Sequence, residues 1–176
     1  MSALSNCLMA NGVKAAAIAA ALSISASAAC AQGMTLTSEQ AMAAMQAAMK
    51  FSQKEGSSVS VAVVDRDGKV MLLMRGNTAA PHNLGLARRK AYTANMFKMT
   101  TLAWRDKSMP GQPEASERDM PDVIPLGGGV PIMVGGEVIG AVGASGTKGG
   151  QEGDTACAQA GADAAAALVK RLQASN

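Results

Sequence analysis

The chain has 176 residues, a length that suits one domain with a substantial core and leaves little room for two. Its formal net charge is +3 at pH 7, and only 2% of its residues are aromatic. This composition excludes the basic, aromatic-rich surface that is typical of nucleic-acid binding, and it requires a core built from Ala, Val, Leu, Ile and Met.

The first 31 residues differ from the rest because they contain no acidic residue and a single base, Lys14. The apolar run at 15–24 is shorter than the roughly 20 residues of a membrane-spanning helix, and it fits the core of a signal peptide. Small residues follow it, which favours cleavage after Ala31. We therefore predict a signal peptide at 1–31 and a single domain at 32–176, located in the periplasm or secreted, with no stable membrane insertion after cleavage.

Two alternatives stay open for this segment. Cys30 would be the lipidated residue of a lipoprotein, but Ser27 stands where a Leu-like residue is expected. An ordinary amphipathic helix would need charge on its polar face.

Cleavage after Ala31 would leave Cys157 as the single cysteine, which excludes an internal disulfide and predicts a small buried side chain.

The elements of the remaining chain alternate between helices and strand pairs. Thr37 and Gln40 have capping-box spacing and open a predicted helix at 36–53. β-Branched residues predict a strand at 58–65, and a turn signal that ends at Gly68 joins it to a strand at 69–74. A helix is predicted from His82 or Asn83 to about 99, with a short helix at 100–107 that continues from it or stands alone.

The second half of the chain begins with a proline-rich surface loop at 108–122. A second hairpin follows, with strands at 130–134 and 138–144 and Gly135 and Gly136 at its tip. The segment at 124–126 before it could add a third strand to this half. An alanine-rich helix at 151–173 ends the pattern. Hairpins separated by helices, without strand-helix-strand crossovers, predict an antiparallel sheet with helices on its faces.

His82 is the single histidine, and it directly precedes or begins a helix. A neutral imidazole is a good axial ligand for haem iron, although a lone histidine is also common as a surface or capping residue. One histidine excludes a zinc site built on two or three of them.

Arg88, Arg89 and Lys90 are consecutive, and three consecutive residues of a helix cannot share one face. One or two of these bases must therefore point away from solvent or toward a partner. Lys90 is spaced to lie on the side with small residues, where it could reach an anionic ligand group. The alternative is an ordinary solvated basic surface.

The glycine run Gly127, Gly128 and Gly129 leads into a strand and lacks the Lys-Ser/Thr pair of a phosphate-binding loop. Glycines here permit close approach of another backbone or of a flat ligand.

The proline-rich loop carries four acids that could bind a cation, orient a substrate or simply be solvated. They are Glu114, Glu117, Asp119 and Asp122.

Four segments, taken in order and spacing, resemble the GlcG/HbpS-like haem-degrading family over about residues 36–172. They are VAVVD at 61–65 followed by Asp67-Gly68, ARRKAYTA at 87–94, GGGVPI at 127–132 and IGAVGASG at 139–146. The resemblance implies an α/β (α+β), profilin-like fold with a five-stranded antiparallel sheet flanked by helices, and a homo-oligomer from dimer to octamer. It also implies haem binding in some members, linked in exported relatives to oxidative-stress sensing and slow haem breakdown. Other relatives sit in glycolate-utilisation operons, so membership alone does not settle function.

The leading hypothesis is a periplasmic haem-binding protein with slow haem degradation or a redox-sensing or accessory role. Haem would lie in a crevice or subunit interface near His82 as iron ligand, with Arg89 or Lys90 pairing a propionate and the glycine run at 127–129 nearby. One alternative is an enzyme or accessory factor acting on a small carboxylate such as glycolate, with Arg89, Lys90 and the loop acids forming its pocket. Another is a non-catalytic oligomeric interaction module. No catalytic residue is identified, and whether the chain is an enzyme stays open.

Overall fold

Helices and antiparallel strands alternate through residues 34–175, the part of the chain that this computed structural model describes. The signal peptide predicted at 1–31 lies outside the described residues. The helices are α1 (Ser38–Lys54), α2 (His82–Phe97), α3 (Thr101–Lys107) and α4 (Gly150–Ala174), and a 3-10 helix spans Ala115–Asp119. The strands are β1 (Ser60–Asp65), β2 (Val70–Arg75), β3 (Gly129–Val134) and β4 (Glu137–Ser145). This order agrees with the predicted one.

The strands form one antiparallel sheet in the order β2-β1-β4-β3. Each predicted hairpin supplies one half of it, and β1 pairs with β4 in the centre, where Val63 lies opposite Val142. The prediction of an antiparallel sheet flanked by helices is therefore confirmed.

The expectation of a fifth strand is wrong, because the described residues form four. The segment at 124–126, before the glycine run, is not a strand. Pro125 has no backbone N–H for a ladder, and the N–H of Ile124 donates instead to Thr93 Oγ1 on α2, at 2.9 Å. This segment is therefore bound to a helix and not to the sheet.

Helix α2 covers one face of the sheet at very short distance. Ala87 and Ala91 of the helix pack with Ala62 and Ala141 of the strands, all fully buried. A Cβ atom at Gly143 would overlap the carbonyl oxygen of Ala87, so this glycine sets how closely the helix backbone approaches β4.

Helices α1 and α4 pack on each other against the opposite face. The Thr37–Gln40 capping box is present, with Thr37 N donating to Gln40 Oε1 at 2.9 Å, as the sequence predicts. A Cβ atom at Gly161 of α4 would meet the Ala44 carbonyl oxygen of α1 and the Val142 side chain of β4. Gly161 therefore lets α4 approach the backbone of α1 closely.

Helices α2 and α3 are separate and meet at an aromatic pair. Lys98 ends α2 in the left-handed region with φ of 54°, and Thr100 caps α3 by accepting from Ala103 N at 3.3 Å. The rings of Phe97 and Trp104 stack across this break, 3.5 Å apart at their centroids. Among residues 34–175 no helix combines the length and hydropathy needed to cross a membrane.

Candidate functional site

His82 is the first residue of α2, and its side chain is exposed. The imidazole forms no hydrogen bond or ion pair with any residue in the described range, and the preceding Pro81 provides no cap. The next residue, Asn83, is buried against the end of β4, where Ser145 Oγ lies 3.4 Å from its Oδ1. His82 is therefore fixed in position by its backbone, and its ring nitrogens have no partner among residues 34–175.

Arg88 and Arg89 attach the end of the proline-rich loop to α2. Arg88 Nη2 lies 2.5 Å from Asp122 Oδ1, and Arg89 Nη2 donates to the Val123 carbonyl oxygen at 2.5 Å. The hydrogen bond from Arg88 lowers the pKa of the Asp122 carboxyl. One of the four loop acids is thus the partner of a base on α2.

A second loop acid is held by a lysine of α3. Lys107 Nζ lies 2.9 Å from Glu114 Oε1 and lowers the pKa of that carboxyl. Glu117 and Asp119 lie on the 3-10 helix. Within the described chain no three or more His, Cys, Asp or Glu side chains are grouped to hold a metal ion. The loop therefore has local ion pairs and no clustered cation site in that range.

Lys90 points into the protein, as the crowding of three consecutive bases predicts for at least one of them. Its side chain is 3% exposed, and its Nζ lies 2.7 Å from Asp154 Oδ2 and 3.2 Å from the Ala144 carbonyl oxygen. The other oxygen of Asp154 accepts from the backbone N–H groups of Gly146 and Thr147, at 3.0 and 2.9 Å. A haem propionate or a substrate carboxylate would have to displace Asp154 to reach this ammonium.

Asp154 was not among the predicted site residues, although the sequence contains a signal for it. Asp154 lies on α4 with the same helical spacing as the buried residues Cys157, Ala158 and Gly161, so an acid occupies the apolar stripe. A carboxylate in that position needs a buried partner, because an unpaired charge is costly to bury. Lys90 is that partner.

The glycine run is buried by the protein's own atoms. A Cβ atom at Gly128, where φ is +122°, would lie 2.8 Å from Asp154 Cβ and 2.9 Å from Lys90 Nζ. One at Gly127 would lie 2.8 Å from Leu102 Cγ, and one at Gly129 would lie 2.7 Å from Thr101 Cγ2. These glycines give room to the Lys90–Asp154 pair, and a flat ligand could approach them only by displacing that packing.

The predicted site residues are therefore not all together, and Arg89 is held apart from the others by its bond to Val123. Lys90 and the glycine run come together in the interior, whereas His82 lies about two helical turns earlier at the exposed start of α2. Three cavities have volumes of about 240, 260 and 270 Å³, and none of these three is lined by His82, Arg89 or Lys90.

Comparison with known proteins places the chain in a family. A family model described as haem-degrading protein, HbpS-like, matches residues 36–163. Protein GlcG of Escherichia coli strain K12 is 35% identical over 110 residues, which cover 62% of this chain and 81% of that protein.

Two solved structures support the same assignment. A double mutant of Streptomyces reticuli HbpS superposes with a TM-score of 0.70 at 33% identity, covering 74% of this chain and 87% of that one. A PduOC:haem complex superposes with a TM-score of 0.69 at 28% identity, covering 74% of this chain and 95% of that one. The match of a family model to most of the chain confirms the resemblance seen in the sequence: this protein belongs to the HbpS-like family of haem-degrading proteins.

Proposed function

We propose that this chain is an exported haem-binding protein in which His82 is the axial ligand of the haem iron. The observation that carries the proposal is the exposed imidazole at the start of α2, which has no partner among the described residues. A neutral imidazole is the protein ligand that haem iron most often takes, and a family neighbour was solved as a haem complex. The imidazole of His82 is therefore a suitable ligand for the haem iron.

The haem site is proposed to lie at an interface between two copies of the chain. The three cavities named above are smaller than the roughly 300 to 1,000 Å³ typical of sites for drug-sized ligands, and none of the three is lined by His82. Haem is a large, mostly apolar ligand that needs cover on both faces. A second chain would supply the face that one chain leaves open at His82.

The exposed strand β2 supports assembly into a homo-oligomer, from dimer to octamer. It is an edge strand, and its apolar residues Val70, Leu73 and Met74 are 45, 41 and 45% exposed. Apolar edge strands are sites of pairing with another chain unless something covers them. We propose that a second copy covers β2.

Arg89 is the base we propose for a haem propionate. Its guanidinium is half-buried and uses Nη2 on Val123, which leaves further N–H donors for a carboxylate. Lys90 instead has its ammonium on Asp154. Bound haem would supply redox and oxygen chemistry, and slow haem breakdown or redox sensing is the extension we propose from the family description.

Hemin titration of the purified protein and of His82→Ala tests the ligand assignment. Export is tested separately by mass spectrometry of the protein from a periplasmic extract. The signal-peptide proposal predicts a chain that begins at Gln32, and a chain retained in the cytoplasm with residues 1–31 intact would contradict it.

A further inference from the structure

A cavity separate from the proposed haem site lies between the end of α1 and the end of β2. Its volume is about 260 Å³, and we call it the Arg75 cavity after the charged residue in its wall. Ser57 and Ser58 provide the other polar groups that the argument uses, and Ser52, Gln53 and Asn77 also line the cavity. We propose that the Arg75 cavity binds a small organic carboxylate that carries a short aliphatic chain.

Arg75, Ser57 and Ser58 can each offer a hydrogen-bond donor to a ligand in this cavity. Arg75 uses Nη1 on the Ala79 carbonyl oxygen at 2.8 Å, and within residues 34–175 its remaining N–H groups have no partner. Ser58 Oγ accepts from Thr78 N at 3.2 Å. Because its oxygen is an acceptor in this bond, the hydroxyl proton stays available to a ligand.

Ser57 repeats the arrangement of Ser58. Its Oγ accepts from Lys148 N at 3.1 Å, so its proton is also available. Two hydroxyl donors beside a guanidinium are the groups that recognise a carboxylate, and the bond from a guanidinium to a carboxylate is about twice as strong as one between neutral groups.

The charge of the cavity also favours an anionic ligand such as a carboxylate. Arg75 is the charged residue of the wall, and none of the described residues that line it is Asp or Glu. Nothing in the wall therefore neutralises the guanidinium, and an anion would be attracted and a cation repelled.

The wall also has apolar side chains, which distinguish a carboxylic acid from an inorganic anion. Met49, Val59 and Met74 line it, and flexible thioether side chains fit aliphatic groups of varied shape. A volume of about 260 Å³ holds a ligand of a few carbon atoms. A phosphate ion would leave these side chains uncovered and would gain nothing from them.

Isothermal titration of the purified full chain tests the proposal with butanoate, butanamide and inorganic phosphate as probes. We expect saturable binding of butanoate, with butanamide and phosphate at least about tenfold weaker. Arg75→Met should weaken butanoate binding at least about tenfold, and Ser57→Ala several-fold. Arg171→Met is the matched control, since Arg171 is also exposed and lies on the last turn of α4, and it should bind butanoate like the original protein.

Arg75→Met also removes the bond to Ala79, so its circular dichroism and thermal unfolding are compared with those of the original protein. If it fails to fold, Ser57→Ala and Arg75→Lys carry the test, and both should weaken binding. No saturable butanoate binding, equal binding of butanamide, equal binding of phosphate, or unchanged binding in these variants would overturn the proposal. Butanoate binding should be unaffected by His82→Ala, because His82 does not line the Arg75 cavity, so failure of this site and failure of the haem site are distinguishable.

Discussion

The ammonium of Lys90 and the carboxylate of Asp154 lie 2.7 Å apart in the protein interior and join helices that cover opposite faces of the sheet. Lys90 reaches Asp154 past the start of β3, where Gly128 leaves the space. Asp154 in turn holds the backbone of Gly146 and Thr147. The segment of the family resemblance that contains Lys90 thus has a structural role, whatever ligand the protein binds.

Removal of either charge should strongly destabilise the fold. Lys90→Met or Asp154→Asn leaves a buried charge without its partner, which typically costs about 3 to 5 kcal/mol. The free energy of unfolding in urea measures this loss, and the double variant should lose less than the sum of the two single losses. Arg88→Met, which breaks the exposed pair with Asp122, is the control and should cost less than about 1 kcal/mol. Losses of that small size for Lys90→Met would contradict a structural role for the pair.

Alanine substitution should have opposite effects at two glycines. Gly128→Ala places a Cβ atom 2.6 Å from the Ala144 carbonyl oxygen at a φ of +122°, and should destabilise by roughly 2 to 5 kcal/mol. Gly85→Ala is the matched control, because it lies within α2 and a Cβ atom there meets nothing within 4 Å. It should stabilise by about 0.5 to 1 kcal/mol. Thermal unfolding of both variants checks the prediction, and a stable Gly128→Ala protein would refute the packing described.

Cys157 should be unreactive in the folded protein. Burial raises the pKa of its thiol to about 12, with a smaller contribution from the charge of Asp154. Iodoacetamide at pH 8 should therefore modify Cys157 only after denaturation, as measured by mass spectrometry. Rapid modification of the native protein would show that the thiol is accessible.

The same pKa shift makes stability depend on pH. The thiol keeps its proton more tightly in the folded state than at its ordinary pKa of 9.0, so its contribution is full below about pH 9 and is lost as the pH rises toward 12. The advantage of the original protein over Cys157→Ala in free energy of unfolding should shrink across this range. A constant difference would contradict the shift.

Charge on the edge strand should disrupt assembly. Leu73→Glu places a carboxylate on the apolar outer strand β2, and we expect a smaller species in light scattering coupled to size-exclusion chromatography. Leu172→Glu is the control, since Leu172 is 42% exposed and Leu73 is 41% exposed, but Leu172 lies on α4. An unchanged oligomer in Leu73→Glu would remove β2 from the interface.

Local patterns explain which parts of the fold could be predicted from the sequence. The capping box of Thr37 and Gln40 and the turn that ends at Gly68 depend on residues a few positions apart, and both appear as expected. Residues 34–175 contain no fifth strand, and the N–H of Ile124, which a strand there would use, donates instead to Thr93, 31 positions away. The sequence of the segment at 124–126 gives no sign of this hydrogen bond.

The candidate sites depend on contacts between distant residues. Lys90 and Asp154 are 64 positions apart in the sequence. They meet because α2 and α4 both pass the start of β3, next to Gly128. Ser57 and Arg75 come together through the pairing of β1 with β2, so the sequence presents Arg75 as only the start of a loop. His82 could be singled out because it is the single histidine, although its exposure could not be predicted.

Hemin titration of the original protein and of His82→Ala, followed by the position and intensity of the Soret band, tests the haem proposal most directly. Arg171→Met serves as a control for general surface effects. We predict a Soret shift with saturable binding in the original protein and in the control, and an affinity at least several-fold lower in His82→Ala. An identical spectrum and affinity in His82→Ala would contradict the assignment of His82 as the iron ligand.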